Sequence, residues 1–139
     1  MLITYTVAGD STKTKSFEIL KPFFESTKII KVGHNIKFDI QVLLKYNVKV
    51  SSPIYDTMVA HYLINPDMRH NMDILAETYL KYSPKSITEL IGNKGINQRS
   101  MREVSIEDQT QYAVEDADIT FQLKSHFEKV GQTMSKEWA

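Results

Sequence analysis

The stretch Ile29-Ile30-Lys31-Val32-Gly33-His34-Asn35-Ile36-Lys37-Phe38-Asp39 decides the fold class, because it passes from a strand pattern into a helix pattern. The β-branched run Ile29 to Val32, closed by Gly33, is typical of a buried strand in a parallel sheet. A helix is predicted from about Ile36 to Tyr46, with Asn47 suited to its end. In open α/β folds, side chains that follow such a strand lie at the sheet edge where binding sites form.

The pattern before this stretch predicts a further strand and a further helix. Residues Leu2 to Ala8 favour a strand, and Gly9-Asp10-Ser11 is a turn signal. Phe17, Leu20, Phe23 and Phe24 then fall at helical spacing. Pro22 within this helix predicts a kink or an early end.

The pattern after this stretch is mostly helical. Val48, Val50 and Ile54 mark a second short extended piece before Asp56. Helices are predicted at Thr57 to Leu63, Met72 to Tyr82, Ser86 to Ile91 and Ser105 to Phe127. Ser105 and Asp108 resemble a capping box with Asp in place of Glu or Gln. Strands followed by helices predict an α/β fold.

Composition limits the classes of protein. The chain has 139 residues, 42% hydrophobic and 24% charged, which indicates one globular domain over residues 1–139. It has no cysteine, so disulfides and zinc fingers are excluded. The seventeen basic and seventeen acidic residues give zero net charge, which argues against binding along an extended stretch of duplex DNA. No secretory leader and no apolar run of about 18 residues is visible, so no membrane contact and a cytoplasmic location are expected.

The first polar cluster follows the predicted strand. Asn35 and Asp39 are four residues apart with Phe38 beside them, so one helical turn presents an amide, an acid and an aromatic ring to a shared cleft. The alternative is structural: Asn35 caps the helix, and Asp39 is a solvated acid favoured by the helix dipole.

The second polar cluster lies in the predicted C-terminal helix, at Tyr112-Ala113-Val114-Glu115-Asp116-Ala117-Asp118. Tyr112 and Asp116 are four residues apart on one face. A phenol one turn from a carboxylate is able to orient a water beside a metal ion. The alternative is that Tyr112 borders the core and the three acids form a solvated face.

Together the clusters resemble the second and third motifs of the tyrosine-bearing DEDD exonucleases. The resemblance extends to the 3′-5′ proofreading exonuclease domains of bacterial family A DNA polymerases, with these stretches in the same order: Lys31 to Asp39, Tyr55 to Met58, Arg69 to Asp73, Leu75 to Glu77 and Tyr112 to Asp118. It implies a ribonuclease H-like fold, with a central sheet flanked by helices.

The resemblance implies a function and partners. Family members hydrolyse the 3′-terminal phosphodiester of single-stranded DNA with two divalent cations, for which Mg²⁺ or Mn²⁺ is suited. The expected partners are a single-stranded DNA 3′ end and a polymerase domain of the same parent chain. The expected location is the bacterial cytoplasm, in association with the nucleoid.

The resemblance also implies roles for single residues. Asp39 and Asp116 would be metal ligands, and Tyr112 would position the attacking water. The residues expected to bind the terminal nucleotide or line its cleft are His34, Asn35, Phe38, Arg69 and Ile87. For Ile87, a core position in its short helix is an equally good interpretation.

Three further acids match the family without an expected substrate contact. Asp56, Asp73 and Glu77 are expected to cap helices or to pair with His70 and Arg69. Their expected role is therefore structural.

The chain departs from the family at its first motif. That motif is Asp-x-Glu on the opening strand, and the chain contains no Asp-x-Glu. We therefore expect an incomplete central sheet that lacks its N-terminal strand or strands, and a polypeptide that is inactive by itself. An exposed sheet edge would favour a homodimer or disorder at Met1 to Ser16.

Two other functions fit the same pattern. One is a non-catalytic exonuclease-like module that supports a polymerase or binds single strands. The other is an RNA exonuclease similar to ribonuclease D, which would act on substrates with a 2′-hydroxyl.

Overall fold

The computed structural model describes residues 10–137, with side chains described for residues 15–134. The helices are α1 (Asp10–Glu25), α2 (Ile36–Lys45), α3 (Thr57–Ile64), α4 (Met72–Leu75), α5 (Ile87–Ile91) and α6 (Ile106–Glu137). The strands are β1 (Lys31–Gly33) and β2 (Ile54–Asp56). The predicted strand from Leu2 to Ala8 lies outside the described residues.

Helix α1 begins earlier than predicted and continues through Pro22. The turn predicted at Asp10 and Ser11 is wrong, because Asp and Ser favour the start of a helix as readily as a turn. The helix ends at Glu25, beyond Phe24, so the early end predicted at Pro22 is wrong, and a kink there stays a prediction. Phe17 and Phe24 are buried, whereas Leu20 and Phe23 are exposed, so the apolar face is narrower than predicted.

The two strands pair in parallel, as the β-branched run indicated. Gly33 lies opposite Asp56, which brings the start of α2 and the start of α3 to one edge of the sheet. Strand β1 is shorter than the β-branched run suggested. Ile29 and Ile30 are exposed and lie outside the ladder, so the strand begins at Lys31. Parallel strands joined through a helix are the basic unit of an α/β fold.

The remaining helices match the predicted positions to within a few residues, with two differences. The predicted helix Met72 to Tyr82 divides into α4 and a π-helical segment, Ala76–Leu80, which ends where Lys81 takes a positive φ of 56°. The last helix extends to Glu137, beyond the predicted end at Phe127. A 3₁₀ turn at Met101–Glu103 was not predicted.

The start of α6 has the cap that the sequence indicated, but the Asp108 carboxylate binds a different group from the one bound by Glu in a capping box. The Ser105 hydroxyl accepts a hydrogen bond from the backbone N–H of Asp108 at 3.2 Å, as in a capping box. The Asp108 carboxylate accepts from that hydroxyl at 2.8 Å. The shorter Asp side chain therefore bonds the hydroxyl, where the longer Glu of a capping box bonds the backbone.

Two hydrophobic clusters organise the described residues. One joins α4 and the π-helical segment to α6, through Leu75, Ala76, Ile119, Leu123 and Phe127. The other joins α1 to α2 and the loop after it, through Phe17, Phe24, Leu43 and Val48. Helix α6 also packs against α3 and β1, so it links the sheet to the helices.

This arrangement is the predicted α/β class, consistent with a ribonuclease H-like exonuclease fold around a small parallel sheet. Within residues 10–137, no helix combines the length and the apolar character that crossing a membrane requires. The single domain over residues 1–139 and the homodimer through a sheet edge remain predictions.

Candidate active site

The carboxylate of Asp56 joins two helix starts at the edge of the sheet. Its Oδ1 accepts hydrogen bonds from the backbone N–H groups of Asn35 at 3.0 Å and Met58 at 2.9 Å. Its Oδ2 accepts from the backbone N–H of Ile36 at 3.0 Å. One side chain at the end of β2 therefore caps α3 and holds the start of α2, and the expected capping role of Asp56 is confirmed.

Asn35 occupies the N-cap position of α2 in an unusual backbone conformation. Its φ is 56°, in the left-handed region that Asn adopts more readily than most residues. Its side chain makes no capping hydrogen bond, because Asp56 already binds the N–H groups at this helix start. The alternative in which the Asn35 side chain caps α2 is therefore wrong. The exposed amide is free to serve as a donor or acceptor for a ligand.

Asp39 lies in the first turn of α2 and is half-buried. It borders a cavity of about 10 Å³ together with Phe24, Lys31 and Leu43. Burial raises the pKa of Asp39 above its ordinary value, and the charge of Asp56 also raises it. The alternative of a solvated acid in the first helical turn is therefore right about the position of Asp39 and wrong about its full solvation. Phe38, the preceding residue, has 63% of its surface exposed, so its ring is accessible to a ligand.

His34 stands between the end of β1 and the start of α3. Its Nδ1 lies 2.9 Å from the hydroxyl of Thr57, which donates to the carbonyl of Gly33 at 3.3 Å. Burial lowers the pKa of His34, although Asp56 partly opposes this. The ring is thus held in one orientation and favours its neutral form.

Asp116 and Tyr112 lie one turn apart on α6. Asp116 has 8% of its surface exposed. Burial raises its pKa to about 6, and the charges of Asp73 and Glu115 raise it as well. Burial, followed by the charge of Asp116, raises the pKa of Tyr112 to about 12.

These pKa values indicate the chemical roles for which Tyr112 and Asp116 are suited. A phenol with a pKa of about 12 stays protonated at neutral pH, so Tyr112 is suited to hold a water and not to remove its proton. The alternative interpretation of this cluster is that its acids form a solvated face. It is wrong for Asp116, which is buried, and right for Asp118, which is exposed. The cost of keeping Asp116 ionised in a buried position is offset when a cation lies beside it.

The other two predicted substrate contacts lie at the surface. Arg69 is exposed in the loop between α3 and α4. Ile87 is the first residue of α5 and has 43% of its surface exposed, so its interpretation as a core residue is wrong. Exposure leaves both side chains accessible to a nucleotide.

Each of the two predicted metal ligands lies near another acid. In addition to burial, the charge of Asp56 raises the pKa of Asp39, and the charges of Asp73 and Glu115 raise the pKa of Asp116. Among the side chains described, residues 15–134, no three of His, Asp or Glu come together in a way that would hold a metal ion. A shared metal site of Asp39 and Asp116 therefore stays a prediction, and these two carboxylates supply only part of a ligand set.

Several acids near the site have contacts that the sequence alone did not identify. Asp73 raises the pKa of Asp116 across the contact between α4 and α6. Glu115 binds the segment that precedes α5. Glu77 accepts from the hydroxyl of Ser83 at 3.1 Å, and the described residues show no ion pair of Asp73 or Glu77 with His70 or Arg69. The expected pairing of Asp73 and Glu77 with His70 or Arg69 is therefore wrong, and Glu77 binds Ser83 instead.

Comparison with known proteins adds a family. The model of a family described as 3′-5′ exonuclease matches residues 4–132. The DNA polymerase I of Pseudomonas aeruginosa is 38% identical over 107 residues, or 75% of this chain. The DNA polymerase I of Borreliella burgdorferi is 37% identical over 106 residues, or 76% of the chain. The chain spans only 12% and 11% of the lengths of these two relatives.

Proposed function

Because this chain belongs to the 3′-5′ exonuclease family represented in bacterial DNA polymerase I, we propose that it proofreads DNA by removing nucleotides from a single-stranded 3′ end. The observation that carries the proposal is the pair on α6: buried Asp116, with its pKa raised to about 6, one turn from protonated Tyr112. A polymerase domain in the same parent chain is part of the proposal.

The site provides some, but not all, of the carboxylate ligands that two divalent cations would need. Asp39 and Asp116 offer hard carboxylate oxygens, the ligands that Mg²⁺ and Mn²⁺ prefer. Burial raises the pKa of both carboxyls, and a cation beside them would favour their ionised forms. Two such cations, when bound, activate the attacking water and stabilise charge on the leaving oxygen.

The residues of this chain then have separate tasks. Tyr112 donates a hydrogen bond and orients the water against the terminal phosphate. Asn35 and exposed Arg69 bind the terminal nucleotide and its phosphate, for which a guanidinium is well suited. His34 and Phe38 line the same cleft, and Ile87 contacts the terminal base.

The missing Asp-x-Glu predicts that this polypeptide is inactive by itself. Each cation would lack carboxylates that the family's first motif supplies, and neither would have a full ligand set. We therefore expect turnover only in a longer protein that includes such a motif.

The test is degradation of a 3′-labelled single-stranded DNA in Mn²⁺ by this polypeptide and by a version extended upstream through an Asp-x-Glu strand. The extended protein should cut, and Asp116→Ala should abolish cutting. Tyr112→Phe should lower kcat by about 10²-fold or more with little change in KM, because a positioned water is lost. Asp118→Ala, which removes an exposed carboxylate of the same helix, is the matched control and should retain activity.

Each contrary outcome points to a different function. If neither protein cuts DNA, the domain is a non-catalytic module that supports a polymerase or binds single strands. If RNA ends are cut in preference to DNA ends, the chain acts as ribonuclease D does.

A further inference from the structure

The segment that leads into α5 is tied to α6 through one carboxylate. Glu115 Oε1 accepts a hydrogen bond from the hydroxyl of Tyr82, and Oε2 accepts from the backbone N–H of Lys85 at 3.1 Å. The ammonium of Lys85 lies 3.5 Å from Oε1 of Gln111, one turn earlier on α6. Both oxygens of Glu115 are thus occupied by a segment about thirty residues away in sequence.

Helix α5 follows this tied segment without a break. Ser86 caps it in a capping box with Glu89, and Ile87 is its first residue. The cap fixes the direction of α5 relative to the backbone at Lys85, which Glu115 holds. The position of Ile87 is therefore set by the contact with α6.

The helix has few other means of keeping its place. It has five residues and none of them is buried, so hydrophobic packing contributes little to its position. Its C-terminal end is held by Arg99, whose backbone N–H donates to the carbonyl of Ile91 at 2.8 Å. The contact with Glu115 is the corresponding anchor at the N-terminal end.

The other end of this connection lies in the turn of α6 that carries the candidate catalytic pair. Glu115 immediately precedes Asp116 and lies three residues after Tyr112. The hydrogen bond to Glu115 also raises the pKa of Tyr82, as expected for a phenol that donates to a carboxylate.

We propose that Glu115 is a positioning residue, which holds the N-terminal end of α5 so that Ile87 meets the terminal base while Tyr112 and Asp116 meet the terminal phosphate. The inference rests on the proposed function and assigns a task to an acid that sequence comparison with the family left without one. Tyr82 is its partner in this contact, and the two residues act as one unit.

The first test uses hydrogen exchange with mass spectrometry to measure whether the contact of Glu115 with Tyr82 and Lys85 stabilises α5. Tyr82→Phe removes one hydrogen bond to Glu115, and Glu115→Gln leaves a single uncharged acceptor oxygen for the two donors, the Tyr82 hydroxyl and the backbone N–H of Lys85. Both variants should speed exchange in residues 87–91 by about threefold to tenfold, as expected when one hydrogen bond is lost. The matched controls are Tyr46→Phe, in the cluster between α1 and α2, and Asp118→Asn, on α6; neither should change exchange there.

The second test measures binding of fluorescent single-stranded oligonucleotides by anisotropy. One oligonucleotide has an ordinary 3′-terminal base, and the other ends in an abasic nucleotide. Both variants, like Ile87→Ala, should weaken binding of the first by about threefold to tenfold and leave the second unchanged. Combining Glu115→Gln with Ile87→Ala should weaken binding no further, because the two changes affect the same contact.

The outcomes separate this inference from the proposed function. Unchanged exchange in α5, or faster exchange with equal effects on both oligonucleotides, would overturn the positioning role while cutting by the extended protein and its loss in Asp116→Ala still supported the nuclease. If the wild-type chain binds neither oligonucleotide, the positioning role is overturned; if the extended protein also fails to cut DNA, the proposed function fails with it.

Discussion

The side chain of Ile36 packs directly over Gly33, so that a Cβ atom added to Gly33 would lie 2.9 Å from the Cβ of Ile36. This contact sets the distance between the end of β1 and the start of α2, where His34, Asn35 and Asp39 follow. Gly33 is needed for this close approach and not for an unusual backbone angle.

Gly33→Ala should therefore destabilise the chain by about 1 to 3 kcal/mol, the usual cost of forcing extra volume into a packed site. The measurement is urea unfolding followed by circular dichroism. The matched control is Gly131→Ala in α6, where a Cβ would meet nothing within 4 Å. That change should raise stability by up to about 1 kcal/mol, because Ala favours a helix over Gly. Equal effects of the two substitutions would contradict the close contact.

The carboxylate of Asp56 provides a second prediction about the same edge of the sheet. Asp56→Ala should lower the free energy of unfolding by about 2 kcal/mol, since it removes the cap of α3 and exposes N–H groups of α2. Amide exchange at Asn35 and Ile36, measured by NMR, should become faster. Asp67→Ala removes an exposed acid and should change stability by less than about 0.5 kcal/mol. An Asp56→Ala protein as stable as the Asp67→Ala protein would show that water replaces the cap.

The sequence predicted those features of the fold that local patterns determine. The β-branched run before Gly33 indicated a buried parallel strand, and the spacing after it indicated α2. The cap at Ser105 marked the start of α6 because a capping hydroxyl is a local requirement. Helix α1 was harder to predict, since Pro22 lies inside it and the residues at its start favour turns as well.

The features that depend on contacts between distant segments were not predicted in the same detail. The double role of Asp56 requires that β2 lies beside β1, which brings its carboxylate to Asn35, 21 residues away. The raised pKa of Asp116 requires the packing of α6 against its neighbours, which a motif does not reveal. The contact of Glu115 with Tyr82 is likewise a property of the folded chain.

The ionisation of Asp116 gives a prediction about pH. Burial raises its pKa from 3.8 to about 6. Between about pH 4 and pH 6 the folded chain keeps a proton on this carboxyl that the unfolded chain has released, so this group makes the free energy of unfolding fall as pH rises. Above this window the loss is complete and amounts to roughly 2 to 3 kcal/mol.

Asp116→Asn carries no ionisable proton and should remove this contribution. Relative to wild type in EDTA, the variant should gain roughly 2 to 3 kcal/mol of stability between pH 4 and pH 8. Urea unfolding at intervals across this range is the measurement. Parallel curves for the two proteins would mean that Asp116 does not take up its proton within this window.

His61 provides a pH dependence of the opposite sign. Its side chain is fully buried, with Nδ1 2.6 Å from Nδ1 of His70 and Nε2 2.9 Å from the hydroxyl of Tyr79. Burial lowers the pKa of His61, and the charge of His70 lowers it further. As pH falls below about 6.5, the unfolded chain binds a proton that the folded chain excludes. This group therefore makes the free energy of unfolding fall as pH is lowered.

His61→Gln keeps a donor and an acceptor but has no imidazole to protonate. From pH 7 to pH 5 the free energy of unfolding of this variant should rise relative to that of wild type, because the contributions of Asp116 and His34 are present in both proteins and only that of His61 is lost. Tyr79→Phe is the control, because it removes the hydroxyl partner of His61 and leaves the imidazole. It should lower the free energy of unfolding by about 1 kcal/mol with a pH dependence like that of wild type. Wild type and His61→Gln with identical pH dependence would show that the folded chain accommodates a charged His61.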